Sequence, residues 1–303
     1  MNPQFLMDGL IAGAIIGLGA VGVTLTYSIL RFSNFAHGEL LSWGAYLALG
    51  ISSALGVLAA GLTTPLGPFS FGWSLPIAAV LAIALTGLLA LALDAALFSS
   101  FRRRGSAIII MVMASFGASL ALRSLLEFLF TSKPAYFSQA LQIAMKLGLG
   151  LRATPDQLAM LAVALVSVII VHLVMTRTDI GRAMRAVSEN PGLAGIAGID
   201  VRRVIRTAWF LGAALACIAG IMSGLIIQIR PYLGHDLLLP LFAAAILGGI
   251  GSVPGAMIAG LFIGISEAFT VQLIGAEWRA AVSFAILIAV LLVRPRGLFG
   301  KAT

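Results

Sequence analysis

The chain has 303 residues, 60% of them hydrophobic and only 10% charged, with a mean hydropathy of +1.09. A soluble domain carries about 25% charged residues, so a soluble enzyme, a nucleic-acid binder and a disordered chain are excluded. The net charge of +8 does not reopen the nucleic-acid reading, because basic residues collect in the cytoplasmic loops of membrane proteins.

Apolar runs cover residues 10–30, 40–58, 74–98, 107–130, 158–175, 208–229, 237–250, 254–269 and 280–293. Most approach the ~20 residues needed to cross a bilayer; the run at 237–250 is too short to cross alone. No Lys or Arg precedes Arg31, so the first run is expected to stay as a transmembrane helix and not to be a cleaved signal. The lone cysteine, Cys217, lies in an apolar run and reads as a packing residue.

Three basic clusters orient the spans. Arg102, Arg103 and Arg104 form the first. Arg177, Arg182, Arg185, Arg202, Arg203 and Arg206 form the second, and Arg294, Arg296 and Lys301 the third. Together they hold 12 of the 19 basic residues and are expected in the cytoplasm, with the C-terminus. Parity then requires residues 237–270 to enter and leave on one side, as a broken or re-entrant pair turning at Gly248-Gly249-Ile250-Gly251-Ser252. The expected fold is an all-α polytopic membrane protein with seven to nine transmembrane helices in one domain, its N-terminus outside. Bare backbone at membrane depth is tolerated where protein buries it or where it lines a water-filled path. The glycines of this turn therefore mark either a pathway lining or close helix packing.

A short echo links Arg31 with His37-Gly38-Glu39-Leu40-Leu41 after the first span to Arg230 with His235-Asp236-Leu237-Leu238 after the sixth. The two pieces would run in opposite orientations, as in an inverted repeat.

Asn34-Phe35-Ala36-His37-Gly38-Glu39 sets an amide, an imidazole and a carboxylate between two apolar runs. It reads either as a turn, with Asn34 capping and Glu39 at a helix N-terminus, or as a polar break lining a route. Farther on, Asn190 then Pro191 reads as a cap and first helical position, and Gly198 closes a two-turn helix. That helix presents Leu193, Ile196 and Ala197; Asp200 caps the next one. An apolar-faced helix held out in water fits a groove on a partner or the membrane surface. Arg123 and Glu127, four apart, are placed to pair. Asp94, His172 and Glu267 lie toward span ends. No chain of carboxylates or histidines sits at mid-membrane, which argues against a proton-driven carrier. No phosphate-binding Gly-rich loop with its Lys-Ser/Thr is present either.

Three ordered pieces carry a family likeness: residues 34–39, residues 186–199, and Leu247-Gly248-Gly249-Ile250-Gly251-Ser252 with Gly255; Arg230-Pro231-Tyr232-Leu233-Gly234 fits too. With them the chain resembles the membrane permease subunits of ABC importers for branched-chain amino acids. The resemblance implies a bacterial inner-membrane complex. In it a second permease, related or identical, completes the pathway, two cytoplasmic ATPase subunits use ATP and Mg, and an extracytoplasmic solute-binding protein delivers the substrate. This subunit would bind no cofactor and catalyse nothing itself. The loop 177–206 would couple to the ATPase through Ser188, Glu189, Asn190, Pro191, Leu193, Ala194, Ile196, Gly198 and Ile199. Asn34, His37, Gly38, Glu39, Gly248, Gly249, Gly251 and Ser252 would border the pathway. Urea and amide permeases look similar. A stand-alone channel or secondary carrier for small neutral solutes is the alternative from another class.

Overall fold

The computed structural model describes residues 3–138, 142–148, 150–294 and 297–299. Arg296 and Lys301 of the third basic cluster lie outside them. The first helix, α1, is Gln4–Leu30. After it come α2 (Ala36–Leu58), α3 (Ser74–Leu93), α4 (Ser99–Arg103) and α5 (Ile108–Phe130). A π-helical turn, Asp94–Phe98, joins α3 to α4 in one 30-residue span. Two short strands, β1 (Met145–Gly148) and β2 (Leu151–Ala153), form an antiparallel hairpin. Then follow α6 (Pro155–Arg177), α7 (Asp179–Glu189), α8 (Pro191–Ile196), α9 (Val201–Ile226), α10 (Leu233–Gly248), α11 (Val253–Ile274) and α12 (Arg279–Val293). Among the described residues, eight helices are long and apolar enough to cross a membrane, and α10 is a shorter apolar one. This is an all-α, multi-pass membrane protein.

Burial follows position and not hydropathy. Along α1, 89% of the most apolar window is buried in protein; along α6 the figure is 17%, although α6 is the more apolar helix. So α1 forms the centre, and α6 turns Leu165, Val166 and Ile170 outward, where lipid replaces protein as the apolar neighbour.

Helix α1 packs antiparallel on α11 through small residues. A Cβ at Gly13 would fall 2.6 Å from the Leu261 Cα, and one at Gly264 would fall 2.2 Å from the Gly13 amide nitrogen. It also runs antiparallel to α9: Ile226 packs near Met7 and Ile11, while Gly22 meets Gly212. The ends of α1, α7 and α10 and the start of α9 gather at one end, termed here the Arg-rich end. Phe98 stacks there on Trp209, and Leu298 N–H donates to the Leu247 carbonyl. The β-hairpin sits at the opposite end, where Gln4 bonds both the N–H and the carbonyl of Arg152.

The broken pair expected near 237–270 takes a specific form. Only α10 is short; α11, with 22 residues, is a full span. The turn between them lies at the Arg-rich end, beneath Gly297, and not at mid-depth. The pair still enters and leaves toward one side, because α10 starts part-way into the bundle. The sequence reading also missed α7, whose buried Gly181, Met184 and Val187 pack it beneath α6.

Replacing Gly264 with Leu should overpack the α1–α11 seam and cost about 1–3 kcal/mol, read as a lowered thermal midpoint in detergent. Gly117→Ala, whose added Cβ would meet nothing outside its own helix within 4 Å, should not lower the midpoint.

Candidate functional site: two opposed helix breaks and an exposed capped helix

The chain leaves α1 through Arg31, a non-glycine residue in the left-handed region (φ 57°). It then turns back into the bundle. Phe32 is buried against Phe98. Helix α2 begins where His37 lies against Gly22 and Gly212; a Cβ at Gly22 would fall 2.9 Å from the His37 Nε2. Gly22 is two helical turns before the end of α1, so α2 starts about 12 Å inside the bundle at 1.5 Å per residue.

A helix that starts there brings unbonded amides with it, and neighbouring side chains accept them. The Ala36 N–H donates to Asn34 Oδ1 at 3.1 Å, and the Phe35 N–H donates to Ser115 Oγ of α5 at 3.1 Å. The His37 N–H donates to the Asn34 carbonyl. Asn34 therefore serves the start of α2 as the sequence suggested, from one position before the cap.

Glu39, in the first turn of α2, is 1% exposed. Its Oε1 accepts from Arg123 Nη2 at 2.7 Å, Arg123 Nε at 3.2 Å and Ser119 Oγ at 3.0 Å. The Arg123 guanidinium also lies 5.0 Å from the Tyr232 ring centroid. Arg123 thus pairs with Glu39 of another helix, and not with Glu127 of its own turn. The polar stripe Ser115, Ser119, Arg123, at four-residue spacing on α5, was the sequence signal for this face.

The second break meets the first. Ser42 Oγ donates to the Pro231 carbonyl at 3.1 Å and accepts from the Gly234 N–H at 2.9 Å. A Cβ at Gly234 would fall 1.8 Å from the Gly38 carbonyl oxygen, so only glycine permits this crossing. The starts of α2 and α10, the two halves of the sequence echo, therefore touch. They follow α1 and α9, which run in opposite directions.

Gly248, Gly249, Gly251 and Ser252 are not brought to this crossing. They form the turn at the Arg-rich end, with Gly249 (φ 88°) and Gly251 (φ 90°) in positive-φ conformations. Gly251 N–H donates to Thr24 Oγ1 at 2.7 Å, and Ser252 Oγ caps α11 by accepting from Gly255 N–H.

At the same end, Asn190 Oδ1 accepts from the N–H groups of Gly192 and Leu193, both at 3.0 Å, and so caps α8. Gly198 (φ 86°) follows, with Ile199 N–H bonded to the Ala194 carbonyl. Asp200 then caps α9 through the Arg202 and Arg203 amides. Ala194 is buried, whereas Leu193 is 65% and Ile196 87% exposed.

Toward the opposite end lies a cavity of about 700 Å³ that the sequence did not mark. Its wall joins apolar residues of α1, α9 and α10 to Arg230, His235, Asp236, Glu267, Glu277 and Arg279. Glu267, which lies toward a span end, is 1% exposed and bonds Arg279 Nε at 2.7 Å and the Ser283 hydroxyl. Asp94, likewise, is buried and paired with Arg102.

Breaking a buried ion pair leaves one charge uncompensated and costs about 3–5 kcal/mol. Glu39→Gln and Arg123→Gln should each destabilise the detergent-solubilised protein by that order. The double variant should lose clearly less than the two losses combined; a double-mutant cycle of denaturant unfolding gives the answer.

The sequence matches, over residues 5–291, a family model described as the permease component of a branched-chain amino acid transport system. The high-affinity branched-chain amino acid transport system permease protein LivH of Escherichia coli (strain K12) is 32% identical over 313 residues, covering 99% of this chain and 98% of that protein. BraD of Pseudomonas aeruginosa, a permease protein of the same description, is 30% identical over 303 residues, with 98% and 95% covered. Among solved structures, a chain of PsaBC from Streptococcus pneumoniae in complex with Fab aligns with a TM-score of 0.50 at 15% identity, covering 97% of this chain and 93% of that one; the likeness is one of fold. The chain belongs to the family of branched-chain amino acid transport permeases.

Proposed function

We infer that this chain is the transmembrane subunit of an ATP-driven importer and forms part of the route for branched-chain amino acids. The Arg-rich end faces the cytoplasm, by the positive-inside rule. A second permease completes the route, two ATPase subunits seat on the cytoplasmic side and use ATP and Mg, and an extracytoplasmic binding protein delivers the solute to the opposite end. The observation that carries this reading is α8, a capped two-turn helix with Leu193 and Ile196 turned out beyond the apolar bundle. Burying those two side chains in a partner's groove gains roughly 1.5–3 kcal/mol for each, at full burial.

The mechanism follows from how α8 is mounted. Helices α7 and α8 meet at the single capping residue Asn190, and only the four residues 197–200, ending in the Asp200 cap, join α8 to α9, so a push on α8 moves the start of α9. Helix α9 packs on α1, α2 and α3, next to the crossing of α2 and α10. The cavity lined by Arg230, His235 and Arg279 forms the outer mouth. The bonded crossing at Gly38 and Gly234 is the constriction that must part for solute to pass. The turn at 248–252 borders the inner exit.

The test is uptake of labelled leucine, isoleucine and valine into proteoliposomes holding the assembled transporter. Uptake should require ATP, the binding protein and this chain. Ile196→Asp should lower it at least tenfold and weaken co-purification of the ATPase. Flux through vesicles containing this chain alone would overturn the ATP-driven reading in favour of a channel or carrier.

A further inference from the structure

Arg31 stands at the turn between α1 and the returning segment, and its side chain reaches across to the coupling loop. Its Nη2 donates to the carbonyls of Ser188 at 2.9 Å and Glu189 at 2.8 Å. These are the last two carbonyls of α7, which lack partners within their own helix and carry the negative end of its dipole. The next residue, Asn190, is the cap of α8. On the other side of Arg31, Phe32 is locked against Phe98, which stacks on Trp209 of α9. Three residues beyond Arg31, Asn34 holds the first amide of α2.

We propose that Arg31 is a strut that couples α8 to the α1–α2 break, so that displacement of α8 by the ATPase is transmitted to the start of α2 through the Ser188 and Glu189 carbonyls. Three features support a transmitting part over a simple helix cap. One guanidinium nitrogen, Nη2, donates to two successive carbonyls at once, a charge-assisted contact stronger than a neutral hydrogen bond. The backbone at Arg31 adopts the left-handed conformation that non-glycine residues rarely take, while its own N–H stays bonded to the Tyr27 carbonyl at 2.8 Å. The five residues that join α1 to α2 are anchored at both ends, by Arg31 to α7 and by Phe35 N–H to Ser115 of α5. A pull at α7 therefore has no slack to take up before it reaches α2. Arg31 is a positioning residue in this account; it touches no solute.

The inference rests on the reading of α8 as the ATPase contact, and the experiment separates the two. The assembled transporter is reconstituted in proteoliposomes with wild-type chain, Arg31→Ala, Arg31→Lys or Ile196→Asp. ATP hydrolysed per solute imported is then measured, together with the thermal midpoint and ATPase co-purification. Arg31→Ala should assemble fully and hydrolyse ATP, yet raise the ATP-to-solute ratio at least tenfold. Arg31→Lys, keeping the charge without the planar guanidinium, should fall between. A second readout uses Ser33→Cys, since the natural Cys217 is fully buried: its maleimide labelling rate should differ between nucleotide-free and vanadate-trapped states, and that difference should vanish with Arg31→Ala. An unchanged ratio and labelling difference in Arg31→Ala, with Ile196→Asp uncoupled, overturns the strut alone. Arg31→Ala that merely loses stability, hydrolysis and uptake in proportion also overturns it and leaves Arg31 a helix cap. Wild-type behaviour of Ile196→Asp overturns the α8 reading beneath it.

Discussion

A chain that turns back inside an apolar bundle must find a partner for each polar atom it carries there. In water the cost of an unmade hydrogen bond is modest, but in hydrocarbon it is several kcal/mol per group. The segment 31–42 meets much of this constraint with groups from three other elements, while Asn34 Nδ2, both His37 ring nitrogens and Glu39 Oε2 are buried with no hydrogen-bond partner among the described residues. Ser115, Ser119 and Arg123 come from α5, the 231–234 turn faces Ser42, and the α7 end receives Arg31. Those bonds place α2 at its depth, and the depth of α2 brings Gly38 to Gly234. The crossing, the polar face of α5 and the link to the end of α7 are consequences of one returning turn.

The two opposed breaks also divide the labour along the membrane normal. The charged cavity lies toward the hairpin end, the α2–α10 crossing sits within the bundle, and the glycine turn with α8 lies at the Arg-rich end. Helix α9 touches all three levels: Ile226 lines the cavity, Gly220 packs on Leu41, and Asp200 follows α8. A permease needs such a member if events at one face are to alter access at the other, because packed helices move as rigid units and shift between discrete arrangements.

Much of this was legible from residue order, for physical reasons. The spans were readable because lipid demands long apolar runs whatever their tertiary partners. Helix α8 was readable because caps are local: Asn190, Pro191, Gly198 and Asp200 act within four residues. The partner of Arg123 was not. Glu127, four residues away, satisfies the local rule, whereas Glu39 lies 84 residues off and reaches Arg123 only because α2 starts deep. The depth of the α10–α11 turn was misplaced for a related reason: glycine spacing reports that a turn exists but not its height in the bilayer. The charged cavity draws on six helices and has no linear signature.

The central claim is that the crossing of α2 and α10 opens and closes with the state of the ATPase. Its most direct measure is the reactivity of Tyr232→Cys, beside Arg123 at that crossing, toward a membrane-impermeant thiol reagent in the assembled transporter. The account predicts that the rate changes severalfold between the nucleotide-free and vanadate-trapped states. Equal rates in both states, in vesicles that still import solute, would contradict it.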